Sequence, residues 1–291
     1  MKVFSFRRTA VYLLRLVVAV IFLLPLVWMA AASLYPPGVP LPTSLQLLPD
    51  EPTLSNYGRV WRLIPIGRFT LNSLLVVALA MPLTLVIASW AGLGMALQPR
   101  SRQRLWVLIS LAVLMAPGIA LWSTRFFIYR YLGWYDTVWA LVAPAWMATS
   151  PFYVLIFYRA FRRIPGVVYD MARLDGVGVW QLWWLVALPI VRPTAVGVAV
   201  LSFVYYWGDF ISPLLYLRSQ SRYTLPVALQ LLEQLTRSDW ALLMAAAIWA
   251  TLIPVFIFIL VQPYFALVGQ EEKNDDFVKN RPPLYTSFTE L

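Results

Sequence analysis

Long apolar runs separated by short basic connectors constrain this chain more than any other feature. Residues 16–32, 69–97, 105–127, 138–158, 194–217 and 240–268 are predominantly apolar. Several of them reach or exceed the roughly 20 residues that cross a hydrocarbon core. Charged residues make up 12% of the chain and apolar ones 61%, with a mean hydropathy of +0.72. A soluble domain carries about twice that charged fraction. The expected fold class is an all-α polytopic membrane protein with about six transmembrane helices.

Composition removes several function classes. Cysteine and histidine are absent, which excludes disulfides, the usual zinc sites, cysteine nucleophiles and histidine acid–base chemistry. The lysines are Lys2, Lys273 and Lys279, and none follows a glycine. The chain therefore contains no Walker A phosphate loop. If ATP drives it, a partner polypeptide binds the nucleotide, and no cofactor is expected on this chain. None of the apolar runs holds two carboxylates, so intramembrane hydrolysis is not expected either. The net charge of +10 sits mostly in connectors, where membrane lipid headgroups and a cytoplasmic protein are the natural partners. No basic patch with interleaved aromatics marks a nucleic-acid surface.

The organisation follows from these runs. Residues 1–10 form a basic N-terminus and 11–32 a first span, with Arg15 snorkelling toward the headgroups. Ala30-Ala31-Ala32-Ser33 mimics a signal-peptide cleavage site, but the run is long enough to stay as an anchor. Residues 33–68 are an external loop punctuated by Pro36, Pro37, Pro40, Pro42, Pro49 and Pro52. A transmembrane domain covers 69–268, with a long internal loop at 159–193. Pro117-Gly118 predicts a kink in the third run. The tail 269–291 is polar and expected to be loosely ordered. Placing both termini in the cytoplasm puts nearly two basic residues inside for each one outside, in line with the positive-inside rule for a cell (inner) membrane protein.

The loop 159–193 carries the most information. Ile164-Pro165-Gly166 marks a turn. Val167, Met171 and Leu174 then fall at i, i+4 and i+7 and make a narrow apolar stripe, with Asp170 and Arg173 off it. A short amphipathic helix is predicted, ended at Asp175-Gly176, where glycine permits a left-handed turn. A second apolar stretch, 180–188, leads into Pro189. Such a helix cannot bury its own stripe and needs either a protein groove or the membrane surface.

Asp170-Met171-Ala172, three residues, Gly176, nine residues and then Val186-Ala187-Leu188-Pro189 resembles the EAA motif of ABC importer permeases. The spacing matches throughout; Asp170 stands for the family's Glu and Met171 for its first Ala. Pro52-Thr53-Leu54-Ser55-Asn56-Tyr57 is similar to that family's external segment after the first span. Asn72-Ser73 falls at the start of its second span. Trp207-Gly208-Asp209-Phe210 with Pro213-Leu214, and Tyr223-Thr224-Leu225-Pro226-Val227, resemble stretches of its carbohydrate-uptake subgroup, in particular the second permease of maltose-type importers. The resemblance covers almost the whole chain.

It implies a permease that forms half of a translocation path for a sugar or related carbohydrate. Its partners would be a second permease subunit, two cytoplasmic ATPase subunits that bind the ATP, and an extracytoplasmic solute-binding protein. Asp170, Met171, Ala172, Arg173, Leu174, Asp175, Gly176 and Pro189 would couple it to the ATPase. A candidate solute path comprises Asn72, Tyr205, Tyr206, Trp207 and Asp209. Tyrosine and tryptophan rings stack on sugars and donate hydrogen bonds, and a carboxylate at membrane depth usually faces a polar cavity. A structural alternative stands beside this, in which Asp209 caps a broken helix. A secondary transporter run by an ion gradient is the rival class, but the chain shows no repeat of hydropathy in two halves and only Asp209 as an intramembrane carboxylate. Non-sugar solutes such as glycerol phosphate or polyamine stay open.

Overall fold

The computed structural model describes residues 2–39, 48–236 and 239–279, and side chains for 10–39, 48–236 and 239–264. Met1, the proline-containing residues 40–47, Arg237, Ser238 and the end of the tail, 280–291, lie outside the described residues. All regular structure among the described residues is helical.

Helix α1 spans Lys2–Ala32, α2 Ser55–Leu63, α3 Ile66–Ala96, α4 Arg100–Met115, α5 Ala120–Tyr131 and α6 Val138–Val142. A 3-10 turn, Ala143–Met147, precedes α7 (Pro151–Phe161) and α8 (Gly166–Leu174). Then come α9 (Val179–Gln181), a π-helical segment (Leu182–Ala187), α10 (Leu188–Ile190), α11 (Arg192–Trp207) and α12 (Ile211–Tyr216). The chain closes with α13 (Leu225–Leu235) and α14 (Trp240–Lys279).

Among the described residues, four segments are long and apolar enough to cross a membrane: Ala10–Ala32, Ile66–Ala96, Val138–Phe161 and Trp240–Tyr264. Two bent pairs raise the number to six if each pair is one crossing: Arg100–Met115 with Ala120–Tyr131, at 95°, and Val179–Ile190 with Arg192–Trp207, at 86°. The kink predicted at Pro117 is thus a right-angle break. Ala116 takes an extended conformation because the proline ring that follows excludes the helical region. At the second break Pro193 has no N–H and clashes with the carbonyl four residues back, so the chain turns at Val191.

Three expectations need correction. The fifth run does not continue to 217: α11 stops at Trp207, and α12 starts afresh at Ile211. The external loop 33–68 is not merely punctuated by prolines, since it contains the helix α2. The tail does not loosen at 269, because α14 runs on to Lys279; no glycine or proline falls between 270 and 279 to stop it.

The chain divides into two compact units, Met1–Leu74 with Asp209–Ile253, and Leu75–Gly208 with Pro254–Leu291. In the first, the buried Asn56 donates from Nδ2 to the carbonyls of Ser33 (2.9 Å) and Tyr35 (2.7 Å). Arg59 pairs with Asp239 at 2.7 Å. The Trp240 indole donates to the Val39 carbonyl and packs on Tyr35. In the second unit one apolar core joins the end of α3 (Ala88, Leu93), α7 (Phe157, Phe161), α8 (Tyr169, Ala172), the π-helical segment (Trp183) and α11 (Val198).

Candidate functional site

Helix α8 has two faces. Tyr169 and Ala172, three residues apart, are buried in the core of the second unit. Val167, Met171 and Leu174, the stripe predicted from sequence, are 66%, 61% and 88% exposed. The helix is therefore already seated by one apolar face while a second one remains open. Tyr169 donates its hydroxyl to the Phe161 carbonyl at 2.9 Å. Burial pushes its pKa up to about 12, so it stays neutral and donating at any physiological pH.

The helix ends as its glycine predicts. Gly176 has φ +74°. Its N–H donates to the Arg173 carbonyl, and the Val177 N–H donates to the Ala172 carbonyl, each at 3.0 Å. These two bonds make a Schellman motif. Val177 packs on the same core as Ala172, which supplies the hydrophobic contact that usually accompanies it. Asp175 is the C-terminal cap residue and is exposed. Asp170 and Arg173 face solvent and lie 3.7 Å apart, a weak i,i+3 pair. Pro189 lies exposed in α10. Among the coupling candidates, Ala172 alone points inward: its small side chain lets α8 approach the core, while the others remain available on the surface.

The solute-path candidates divide. In the first unit, Asn72 spends both amide hydrogens on the carbonyls of Ser221 (3.0 Å) and Tyr223 (2.9 Å), and beside it Ser73 accepts from the Leu225 N–H. Asp209 Oδ1 accepts from the Ser212 N–H at 3.1 Å and so caps the restarted helix α12. In the second unit, Trp207 is buried and stacks on Phe203. The buried Tyr206 shares a 2.7 Å hydrogen bond with Thr149, which shares another of 2.6 Å with Thr84. Tyr205 is 45% exposed and meets Tyr206 edge-on.

Sequence reasoning missed the Thr84–Thr149–Tyr206 chain. Its centre lies at a corner where two consecutive non-glycine residues, Ala148 (φ 57°) and Thr149 (φ 61°), are left-handed. That backbone is costly and persists only where surrounding contacts over-determine it. No sequence signal marks it, since neither residue is a glycine or asparagine. An open groove of about 490 Å³ also borders this corner, between α3, α4 and α7. Its lining is apolar apart from Gln98, Ser110 and the Trp106 indole, which suits a lipid chain or a helix better than a polyhydroxylated solute.

Comparison with known proteins bears on all of this. A family model described as "Binding-protein-dependent transport system inner membrane component" matches residues 2–266. The diacetylchitobiose uptake system permease protein NgcG of Streptomyces coelicolor is 29% identical over 241 residues, covering 82% of this chain and 79% of NgcG. The lactose transport system permease protein LacG of Rhizobium radiobacter is 28% identical over 195 residues, covering 67% of this chain and 70% of LacG. The crystal structure of a bacterial ABC transporter involved in the import of the acidic polysaccharide alginate superposes with a TM-score of 0.71 at 20% identity, over 90% of this chain and 97% of that one. This last likeness concerns the fold alone. With the helical spans, the seated amphipathic helix and the EAA spacing, a match over nearly the whole length leaves one conclusion: this chain belongs to the family of inner-membrane components of binding-protein-dependent transport systems.

Proposed function

We propose that this chain is one of two permeases in an ATP-driven importer of a sugar or related carbohydrate, and that α8 is the element through which it is driven. The observation that carries the reading is the open apolar stripe of α8, Val167, Met171 and Leu174, on a helix whose other face is already buried. Exposed apolar stripes of this kind are closed by a partner's groove or by the membrane surface, and the EAA spacing favours the groove. Relatives that transport diacetylchitobiose and lactose support a carbohydrate as the solute.

In this reading both termini, the loop 159–193 and the tail 269–291 are cytoplasmic, and 33–68 is external. The basic bias of the connectors supports that orientation. A separate ATPase pair binds ATP, and its cleft receives α8. Asp170 meets a positive group there. Closure of the ATPase pair carries α8 with it, and the spans around α8 alternate access between the two sides. Tyr205, as the exposed aromatic of the path candidates, is the side chain proposed to contact the solute.

The test is uptake of labelled oligosaccharide by vesicles holding the full transporter and its binding protein. Asp170→Lys is expected to abolish uptake and to loosen the ATPase, with membrane insertion unchanged. Normal uptake by that variant would overturn the coupling role.

A further inference from the structure

Helix α8 is joined to the core by its own inward face and by fastenings on both of its flanks, and both fastenings lead to the same place. On the N-terminal flank, Arg162 at the end of α7 donates from Nη1 to the Tyr158 hydroxyl at 3.3 Å. Tyr158 donates in turn to Gln103 Oε1 at 3.0 Å. Gln103, buried in the first turn of α4, uses its Nε2 to donate to the carbonyls of Ala96 (3.0 Å) and Gln98 (2.7 Å). These carbonyls belong to the last residue of α3 and the turn after it, so Gln103 closes the α3–α4 corner and holds it to α7.

On the C-terminal flank, the buried Trp183 of the π-helical segment donates its indole N–H to Ser89 Oγ of α3 at 3.1 Å. Trp90 of α3 packs against Trp180 and Trp183, with ring centroids 5.5 and 5.7 Å apart. Between the two fastenings, Gly92 lets α3 touch α7 directly. A Cβ placed there would lie 2.7 Å from Phe157 Cβ and 2.8 Å from the Tyr158 nitrogen. Close-packed interfaces of this sort are bistable and do not deform continuously.

We propose that the inner half of α3 and the start of α4 move with α8 as one body, and that Gln103, Tyr158 and Trp183 are the positioning residues that make them do so. The inference rests on the coupling reading of α8. It adds that the drive reaches the second span directly, in addition to the helices joined to the ends of α8 by chain continuity. Every hydrogen-bonding group of Gln103 is engaged, and the Tyr158 hydroxyl both donates and accepts. Removing either side chain's polar atoms therefore leaves buried partners unmatched.

The chain has no native cysteine, which makes a labelling test direct. Spin labels are placed at Arg163→Cys, just before α8, and Arg100→Cys, at the α3–α4 corner, both on exposed positions. The full transporter is reconstituted in liposomes, and the distance is measured before and after ATP with vanadate. One distance is expected, changing by no more than about 2 Å, the scale of small helix shifts. In a Gln103→Met/Tyr158→Phe background the distribution is expected to broaden on adding nucleotide. Solute moved per ATP is expected to fall about fivefold, the factor supplied by one ordinary hydrogen bond. The two single variants should each lose as much as the pair, because they break the same link. A merely structural defect would instead lower uptake and hydrolysis together and leave their ratio unchanged.

A distance that shifts well beyond 2 Å in the otherwise native chain would overturn the proposal. So would a double variant with a single distance and an unchanged ratio. The underlying coupling reading fails differently: Met171→Asp would then retain its ATPase subunits and full uptake, whatever the labels report.

Discussion

Helices α2 and α8 are each nine residues long, each sits between longer helices, and each buries one narrow face. They are fastened in opposite ways. Helix α2 is held by polar bonds: Asn56 reaches two backbone carbonyls, and Arg59 pairs with Asp239, a residue far along the chain. Helix α8 is held mainly by apolar packing of Tyr169 and Ala172, with one side-chain hydrogen bond and a glycine-terminated end. Their outer faces differ too. The outer face of α2 mixes Arg62 with Trp61 and Leu63, whereas α8 presents Val167, Met171 and Leu174 in a row. Directional polar bonds hold one arrangement and lose most of their value when displaced. Apolar packing with a second apolar face left open suits an element that a partner grips and moves. The comparison therefore separates an element held in one arrangement by polar bonds from one with an apolar face left open, the face that the proposed coupling role assigns to another protein.

The largest expected effect breaks the open face. Met171→Asp puts a charge in the centre of the stripe, where a partner groove would have to bury it. Loss of at least tenfold in ATPase retention is expected, with the thermal midpoint of the isolated permease unchanged. Co-purification and a melting curve check both halves. Next comes the polar fastening of α2. Asn56→Leu strands the carbonyls of Ser33 and Tyr35, and about 2 kcal/mol of stability should go, seen as a lower melting midpoint in detergent. An unchanged midpoint would show that water serves those carbonyls equally well.

A smaller effect is expected at the end of α8. Gly176→Ala meets no atom within 4 Å, so its cost is purely that of placing a Cβ at φ +74°, about 1 kcal/mol. Faster proteolysis or hydrogen exchange at 174–178 reads it out. Smallest of all is Thr224→Val. The Thr224 hydroxyl is buried with no hydrogen-bond partner, so replacing it with a methyl group should change stability by less than about 0.5 kcal/mol, or improve it. A clear destabilisation there would point to a hydroxyl that is working in the assembled transporter.

Much of this was legible in the chain itself, for identifiable reasons. Hydrocarbon thickness imposes run length, so the spans declare themselves. The stripe Val167, Met171, Leu174 follows helical period, and a left-handed helix end asks for a glycine, so α8 and its terminus could be read locally. The EAA spacing extended that reading to a family. Other features were not legible, because they depend on which segments meet. Val168–Tyr169 gives no sign that Tyr169 faces inward and donates to Phe161. Gln103 reads as one more polar residue in a basic connector until Tyr158, fifty-five positions away, is brought against it. The fifth run looks continuous through 217, since the helix break at Gly208 is decided by what the freed backbone groups can bond to, Asp209 accepting from the Ser212 N–H.

What the sequence determined by itself is thus the membrane class, the approximate spans, the amphipathic helix and the lack of cysteine, histidine and a Walker A loop. Each follows from short-range periodicity or composition. What only the tertiary structure decided is which side chains are spent on holding the fold and which remain free. Asn72 and Asp209 bond to the backbone of later segments, and Gln103 and Trp183 become fastenings. The physical reason is that a polar side chain's role is set by the partners within about 3 Å of it, and those partners come from parts of the chain that no local pattern connects.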